Sequence, residues 1–369
     1  MLWSLLCRSS TTIVHIIHIV FCRIFWLWGV IYNFLFLRKS PAEDKKPRFP
    51  FLKLHYVAIR EVLNTLDPLD HINFSRASKS CRRLSTIKKP YTVELDFTEF
   101  PAIKFLNGPI EYIVRWTANR EEEGTRKSRA YESYNILYKY SENSLDALKE
   151  FREYYLYIKS LMSVKIDTVV WDMSEFNRLG RTNVDCLRLN APEFPALYVH
   201  GFRQRQEELH YILDNLKYTK SLEIWVDVIE PLQLRIADTL EELRIQNGMS
   251  ITLDYIMSLE MRRLTFRNTY LTDEDLNVFF KSWIEIKSHL NLERFEINLW
   301  KSREDFMAIG LRDIPYRMGP MRPGPYPTYV PSQGSFEVTR NDGRTASICA
   351  YRLFSQFNVI VFARLSDLN

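Results

Sequence analysis

Four short apolar–polar–apolar triplets constrain the fold of this chain more than any other feature. They are Leu222-Glu-Ile224, Leu243-Arg-Ile245, Leu264-Thr-Phe266 and Phe295-Glu-Ile297, and their starts lie 21, 21 and 31 residues apart. Such alternation is typical of a half-buried strand. A strand that recurs roughly every 20–30 residues indicates a leucine-rich-repeat-like α/β solenoid, with a helix or loop between strands. Earlier strand candidates are Val169-Val170, Leu187-Arg-Leu189 and Leu197-Tyr-Val199.

The segment after the third triplet predicts a helix over 271–284. Thr272 can cap it, and Asp273, Glu274 and Asp275 place three carboxylates in its first turn, where they complement the helix dipole. Three adjacent acids also raise a metal site as an alternative, but acids at a helix start are far more often partners of the dipole. An apolar stripe follows, formed by Leu276, Phe279, Phe280 and Trp283.

A small antiparallel β element is predicted near the end of the chain. Asn341-Asp342-Gly343 separates two strand-like segments, 335–340 and 344–350. Asn and Gly tolerate the positive φ angles that a tight hairpin requires. Residues 357–362 predict one further strand, which would complete the element.

Residues 49–87 combine three helix signals in a short space. One apolar face recurs at helical spacing, with Val57, Ile59, Val62, Leu63 and Leu66 as its members. Asp67-Pro68 marks a second helix start, and Ser78 can cap a third helix that ends near Ile87. A unit of about 40 residues has too little interior to bury all of its apolar groups. The surplus is therefore expected to contact another protein.

The same stretch resembles an F-box, and its sequence pattern is most similar to the F-box families expanded in nematodes. The matching residues are Phe49-Pro50, Leu52, Leu54, Val62-Leu63, Leu66-Asp67-Pro68, Ile72, Ser78-Lys79 and Leu84. The resemblance implies docking on the Skp adaptor of a cullin–RING ubiquitin ligase. The family's usual Leu-Pro is Leu54-His55 here, which predicts weaker helix initiation without loss of the fold. The predicted docking face comprises Pro50, Leu52, Leu54, Val57, Val62, Leu66, Pro68, Leu69 and Ile72.

The C-terminal region resembles the F-box-associated domain, type 2. The phrases LTDEDLNVFFKSWI (271–284), LERFEI (292–297) and FEVTRNDGRTASI (336–348) carry the resemblance, which extends over about 190–362. In that family this domain follows the F-box, so the two resemblances support each other. The resemblance of the C-terminal region implies a domain that recruits a protein substrate.

The N-terminal segment has three interpretations. Residues 11–37 are almost continuously apolar, and a membrane-spanning helix needs about 20 such residues. Arg23 costs about 2.5–3.5 kcal/mol inside a bilayer, and the basic flank after Leu37 would keep the body of the chain cytoplasmic. A membrane anchor, a dispensable extension and a signal peptide remain open. The last is disfavoured because the apolar run is long and no cleavage site follows it.

Composition and motifs exclude several classes of function. Residues 1–47 carry a net +4 of the chain's +5, so the remainder offers no basic stripe for nucleic acid. The five cysteines are scattered without zinc spacing, and phosphate-loop, HExxH and GxSxG motifs are absent. Neither a metal nor a cofactor is predicted, and the chain is expected to be non-catalytic.

These observations combine into one organisation. An apolar segment with a basic linker (1–47) precedes an F-box (48–90) and a repeat-like α/β (α+β) domain (91–369). The predicted function is substrate recognition for an SCF-type ubiquitin ligase, with the Skp adaptor and a cullin as partners and an unidentified protein as target. The alternative is a membrane-tethered interaction scaffold in which residues 49–87 only cap the solenoid.

Overall fold

The computed structural model describes residues 51–86, 90–106, 110–128, 134–191, 193–228, 234, 236, 239–300, 306–320, 330–353 and 356–363. The chain divides into two compact units, residues 1–89 and 90–369. Within the described ranges, no helix is both long and apolar enough to cross a membrane. The anchor predicted at 11–37 lies outside these ranges, as does Pro50 of the predicted docking face.

The first unit is helical. A 3₁₀ turn (Phe51–Lys53) precedes α1 (Tyr56–Thr65), α2 (Pro68–Ala77) and α3 (Lys79–Ser85). Both predicted caps are confirmed, because the side chain of Asp67 accepts the N–H of Asp70 at 2.8 Å and that of Ser78 accepts the N–H of Cys81 at 3.0 Å. Each cap satisfies a donor that the first helical turn leaves without an intrahelical partner.

A small hydrophobic core holds these helices together. Its buried members are Ile59, Leu63, Leu66, Phe74 and Cys81, and Phe51, Leu54 and Leu84 pack against them. The rings of Phe51 and Phe74 meet edge to face at 5.4 Å between centroids, a geometry that aromatic quadrupoles favour. The 3₁₀ turn is thereby tied to α2.

The second unit combines a large sheet with helices. The strands are β1 (Pro90–Phe97), β2 (Ala102–Phe105), β3 (Glu111–Thr117), β4 (Gly124–Ser128), β5 (Tyr134–Tyr140), β6 (Ser163–Asp172), β7 (Phe194–Gln204), β8 (Tyr218–Val228), β9 (Glu242–Ile245), β10 (Arg263–Thr269), β11 (Arg294–Leu299), β12 (Tyr316–Gly319), β13 (Val330–Thr339), β14 (Thr345–Leu353) and β15 (Gln356–Ala363). The helices are α4 (Ser144–Leu161), α5 (Phe176–Asn190), α6 (Gln206–Asn215), α7 (Leu253–Met257), α8 (Asp273–Ile284) and α9 (Phe306–Gly310). The described strands lie in one sheet, in the order β12-β13-β14-β15-β11-β10-β9-β8-β7-β6-β1-β2-β3-β5-β4.

Seven neighbouring strands, from β1 and β6 through β11, run parallel. The four predicted triplets lie in this run with their first residues paired: Leu222 with Leu243, Leu243 with Leu264, and Leu264 with Phe295. Both apolar ends of every triplet are at most 1% exposed. The triplets are therefore confirmed as adjacent strands, and the protein is a mixed α/β fold.

Helix α8 confirms the prediction for 271–284. Thr272 and Asp275 form a reciprocal capping box: the Thr272 hydroxyl accepts the N–H of Asp275 at 3.2 Å, and Asp275 accepts the N–H of Thr272 at 2.8 Å. The predicted stripe is buried throughout, with Leu276, Phe279, Phe280 and Trp283 all at most 3% exposed. The ring of Phe279 stacks on that of Phe295 in β11, at 4.3 Å between centroids.

The strand predicted at Leu187-Arg-Leu189 is wrong, because these residues end helix α5. Val184 and Leu187, three positions apart, are buried together, whereas Leu189 is 79% exposed. This is the burial pattern of one helical face. Three residues of alternating polarity fit one helical turn as well as a strand, so the triplet alone could not separate the two.

The predicted hairpin is present, and it is part of the main sheet. Strands β13 and β14 pair antiparallel around the Asn341–Gly343 turn, and Gly343 has φ of +88°. Strand β15 pairs with β14 on one side and with β11 on the other. The antiparallel element thus extends the main sheet, which protects the edge of β11 from pairing with another chain.

Candidate protein-binding site

Three large apolar side chains near the start of the first unit are exposed. They are Leu52 in the 3₁₀ turn and Tyr56 and Val57 in the first turn of α1, and they are 49%, 62% and 57% exposed. Further along α1, Ile59 and Leu63, four positions apart, share the face that enters the core, whereas Val62 is half-buried. We call Leu52, Tyr56 and Val57 the F-box patch.

The predicted docking residues separate into accessible and internal groups. Leu52 and Val57 are exposed, and Leu54 and Val62 are half-buried. The remaining described members are buried: Leu66, Pro68, Leu69 and Ile72. Tyr56 is not among the predicted docking residues, because the periodic pattern that predicts α1 consists of aliphatic residues. A tyrosine at a helix start has an amphipathic side chain of the kind enriched at interfaces.

His55 occupies the N-cap of α1 and partly replaces the family's proline. Its backbone has φ of −59° and ψ of 141°, within the range that proline would impose. Its Nδ1 accepts the N–H of Val57 at 3.4 Å. This long hydrogen bond is a weak cap, consistent with the expected weaker initiation of α1.

A groove of about 920 Å³ opens in the second unit at the carboxyl ends of the parallel strands. It is lined by side chains from the second halves of β6, β7 and β8 and by residues that end or follow β9 and β10. These are Val170, Asp172, Ser174, Tyr198, Val199, His200, Gly201, Phe202, Glu223, Trp225, Asp227, Asn247, Met249 and Asn268. We call this cavity the strand-end groove.

Strand alternation builds the floor of the groove. On β8, Leu222, Ile224 and Val226 are buried, and Glu223 and Trp225 project from the opposite face. The register brings side chains from three strands into cross-strand rows. One row joins Val170, Tyr198 and Glu223, and the next joins Asp172, His200 and Trp225.

Three carboxylates face this groove. Asp172 accepts the N–H of Ser174 at 2.8 Å and lies 3.9 Å from Nδ1 of His200. Asp227 accepts the side-chain amide of Asn247 at 3.3 Å. The phenol of Tyr198 has a raised pKa, first because it is partly buried and second because Glu223 is near. Both causes disfavour a further negative charge on the groove floor.

Glu223 is the most fully satisfied of the three acids. Its Oε1 accepts the side-chain amide of Gln246 at 2.7 Å, and its Oε2 lies 3.9 Å from Arg244. The sequence pattern did not indicate the groove. Glu223 was present as the polar centre of a triplet, but its neighbours across the sheet could not be read from the chain.

Comparison with known families finds a match within each unit. A family model of the F-box domain matches residues 51–92, and one described as F-box associated matches residues 231–297. A search of curated proteins found no match, and neither did a search of solved structures. The chain therefore carries an F-box domain. It also carries an F-box-associated domain, matched over a narrower range than the 190–362 expected.

This pair of domains is typical of non-catalytic substrate-recognition subunits of SCF-type ubiquitin ligases. F-box domains in general bind the Skp1 adaptor within such complexes. Among the residues that the structure describes, no three His, Cys, Asp or Glu side chains come together in a way that could hold a metal ion.

Proposed function

We propose that this protein is the substrate-recognition subunit of an SCF-type cullin–RING ubiquitin ligase. Its F-box domain would dock on a Skp-family adaptor, which joins it to a cullin, while the second unit holds a protein target in the cytoplasm. The observation that carries this proposal is the F-box match over 51–92 together with the exposed apolar patch inside it. Clustered exposed apolar side chains mark interaction sites on otherwise polar surfaces.

The predicted docking residues would act in two ways: the accessible ones contact the adaptor, and the buried ones hold the helices in place. Leu52 and Val57, with Tyr56 added, would contact the adaptor, flanked by Leu54, Val62 and Pro50. The buried members would instead hold α1 and α2 in position: Leu66, Pro68, Leu69 and Ile72.

No bond is made or broken by this chain in the proposed role. Holding a target beside the ubiquitin-charged enzyme raises the effective concentration of the reacting groups. We interpret the run of parallel strands β6 to β11 as leucine-rich-repeat-like solenoid turns. A stack of this kind presents an extended, rigid surface on which a target can be held.

Co-purification tests this function. The full chain is co-expressed with a Skp-family adaptor and a cullin, beside the double variant Leu52→Asp/Val57→Asp. Leu189→Asp, at an exposed apolar residue on α5, is the matched control. Wild type and control should retain both partners and the double variant should lose both, with equal thermal midpoints for all three. Failure of the wild type to capture the adaptor would refute the function, and retention by the double variant would refute the assigned face.

The alternative of a membrane-tethered scaffold depends on the apolar run at 11–37. It predicts membrane association without adaptor binding. Fractionation of the full chain beside a chain that begins at Lys46 separates the two properties. Recovery of only the longer chain with membranes supports an anchor, and adaptor capture by both chains shows that the anchor is not part of the ligase role.

A further inference from the structure

The strand-end groove has exposed aromatic side chains at its mouth. Trp225 is 66% exposed and Phe202 is 67% exposed, although Ile224 and Val226 on β8 and Leu197 and Val199 on β7 are at most 2% exposed. Large exposed aromatic residues beside a concavity are the side chains that contribute most to protein interfaces. The groove volume of about 920 Å³ lies within the range of ligand-binding clefts in proteins, about 300–1,000 Å³.

The carboxylates that line the groove are not matched by basic side chains in its lining. Asp172, Glu223 and Asp227 line it, and its described lining contains no lysine or arginine. Glu223 is already satisfied by Gln246 and Arg244. Asp172 and Asp227 each accept a hydrogen bond from this chain, but an ionised carboxylate has about four acceptor positions. Both acids retain capacity for donors from a ligand.

The spacing of these groups selects one kind of cation. Trp225 and Asp227 are two residues apart on β8, so they share a face at about 7 Å along the strand. A planar guanidinium can stack on an indole and donate in-plane N–H groups to a carboxylate at that distance. A lysine ammonium lacks both the flat face and the fork.

We propose that the strand-end groove recognises a segment of the target protein that carries an arginine, with the guanidinium stacked on Trp225 and paired with Asp227. Phe202 and Met249 would cover apolar neighbours of that arginine, and Asp172 would receive a second basic residue. The proposal rests on the proposed function in that it names the chemistry of the target, but its binding test does not require the adaptor.

Peptide pools test this assignment. Three pools of amidated nonapeptides have random flanks and a central arginine, citrulline or glutamate, and bound peptide is measured on the immobilised full chain. The arginine pool should be retained at least tenfold more than either other pool. Citrulline keeps the shape of arginine and removes its charge, so it isolates the carboxylate contribution.

Matched variants locate the binding. Trp225→Ala and Asp227→Asn should each lower retention of the arginine pool at least tenfold. Leu189→Ala and Asp313→Asn, an exposed apolar residue and an exposed acid outside the groove, should leave it unchanged. Equal retention of the three pools, or groove variants that bind like wild type, would overturn the proposal.

The same preparations separate this proposal from the proposed function. The groove variants should capture the adaptor normally, whereas Leu52→Asp/Val57→Asp should lose the adaptor and still retain the arginine pool. Selective peptide binding without adaptor capture by the wild type would refute the ligase role and leave the groove assignment supported.

Discussion

The guanidinium of Arg340 donates hydrogen bonds to both carboxylate oxygens of Asp342, from Nε to Oδ1 at 2.9 Å and from Nη2 to Oδ2 at 2.5 Å. The side chain of Arg340 is only 3% exposed. It also donates from Nη1 to the carbonyl of Leu290 at 3.1 Å and lies over the ring of Trp283 at 5.4 Å. A hairpin turn therefore supplies the counter-charge for a buried cation that joins β13 to the end of α8.

Removal of this partner should destabilise the second unit. Asp342→Ala leaves the Arg340 guanidinium buried without its carboxylate, and hydrogen bonds to charged groups contribute about 1.5–3 kcal/mol. We expect a loss of that size in the free energy of unfolding, measured by urea denaturation. Asp313→Asn removes an exposed acid 3.5 Å from Lys281 and should cost less than about 0.5 kcal/mol. Equal losses for the two variants would contradict the role of Asp342.

The same pair should govern acid stability. The hydrogen bond from Arg340 lowers the pKa of Asp342 from 3.8 to about 2. Between these values the unfolded chain binds the proton and the folded chain does not, so the pair's stabilisation is complete above about pH 4 and is lost as the pH falls toward 2. Asp342→Ala should show a shallower fall in stability across this window than wild type. Parallel acid-unfolding curves would argue against it.

His289 should make stability depend on pH near neutrality. It is completely buried, its ring meets that of Phe279 at 4.9 Å, and burial lowers its pKa from the ordinary 6.5. The unfolded chain takes up the proton first, so the stabilisation is present above pH 6.5 and is lost as the pH falls through the lowered folded value. The thermal midpoint should drop between pH 7.5 and 5.5.

Two histidine variants isolate this effect. The backbone of His289 has φ of +54°, which asparagine tolerates. The substitution His289→Asn therefore removes the titrating ring and is compatible with the backbone conformation at this position. It should lower the midpoint at pH 7.5 and reduce its dependence on pH. His210→Asn, at a half-buried position on α6, should keep the wild-type dependence. A wild-type slope in His289→Asn would refute the assignment.

A stronger cap should stabilise α1. His55→Asp replaces a hydrogen bond of 3.4 Å with a carboxylate that accepts from the first turn and complements the helix dipole, a gain of about 0.5–1 kcal/mol. Hydrogen exchange of the amides at 57–60 should slow correspondingly in the full chain. His55→Ala should exchange faster than wild type, and identical rates in all three proteins would show that His55 does not cap the helix.

Packing and docking can be separated within the F-box domain. Leu66→Ala removes a core side chain that is 4% exposed and should cost about 2–5 kcal/mol. It should weaken adaptor binding only in proportion to the unfolded fraction. Leu52→Ala/Val57→Ala should weaken binding with an unchanged thermal midpoint. If Leu66→Ala weakened binding without loss of stability, Leu66 would have to contact the adaptor directly.

The amino-acid sequence alone was sufficient for features that neighbouring residues decide. The cap at Asp67, the capping box at Thr272 and the turn at Gly343 are satisfied within three or four residues, so local chemistry predicts them. The triplets were also recognisable, because alternation and burial operate on consecutive residues. Leu187-Arg-Leu189 has the same alternation but ends helix α5, where Leu187 is buried and Leu189 is exposed. Alternation over three residues therefore does not distinguish a strand from a helix.

Only the tertiary structure decided which residues meet across the sheet. Asp172, His200 and Trp225 are neighbours in the strand-end groove because β6, β7 and β8 align in one register, although they are distant along the chain. The pairing of β15 with β11 likewise joins segments that are remote along the chain. Propensity and capping act over a few residues, whereas register and burial follow from packing of the whole unit.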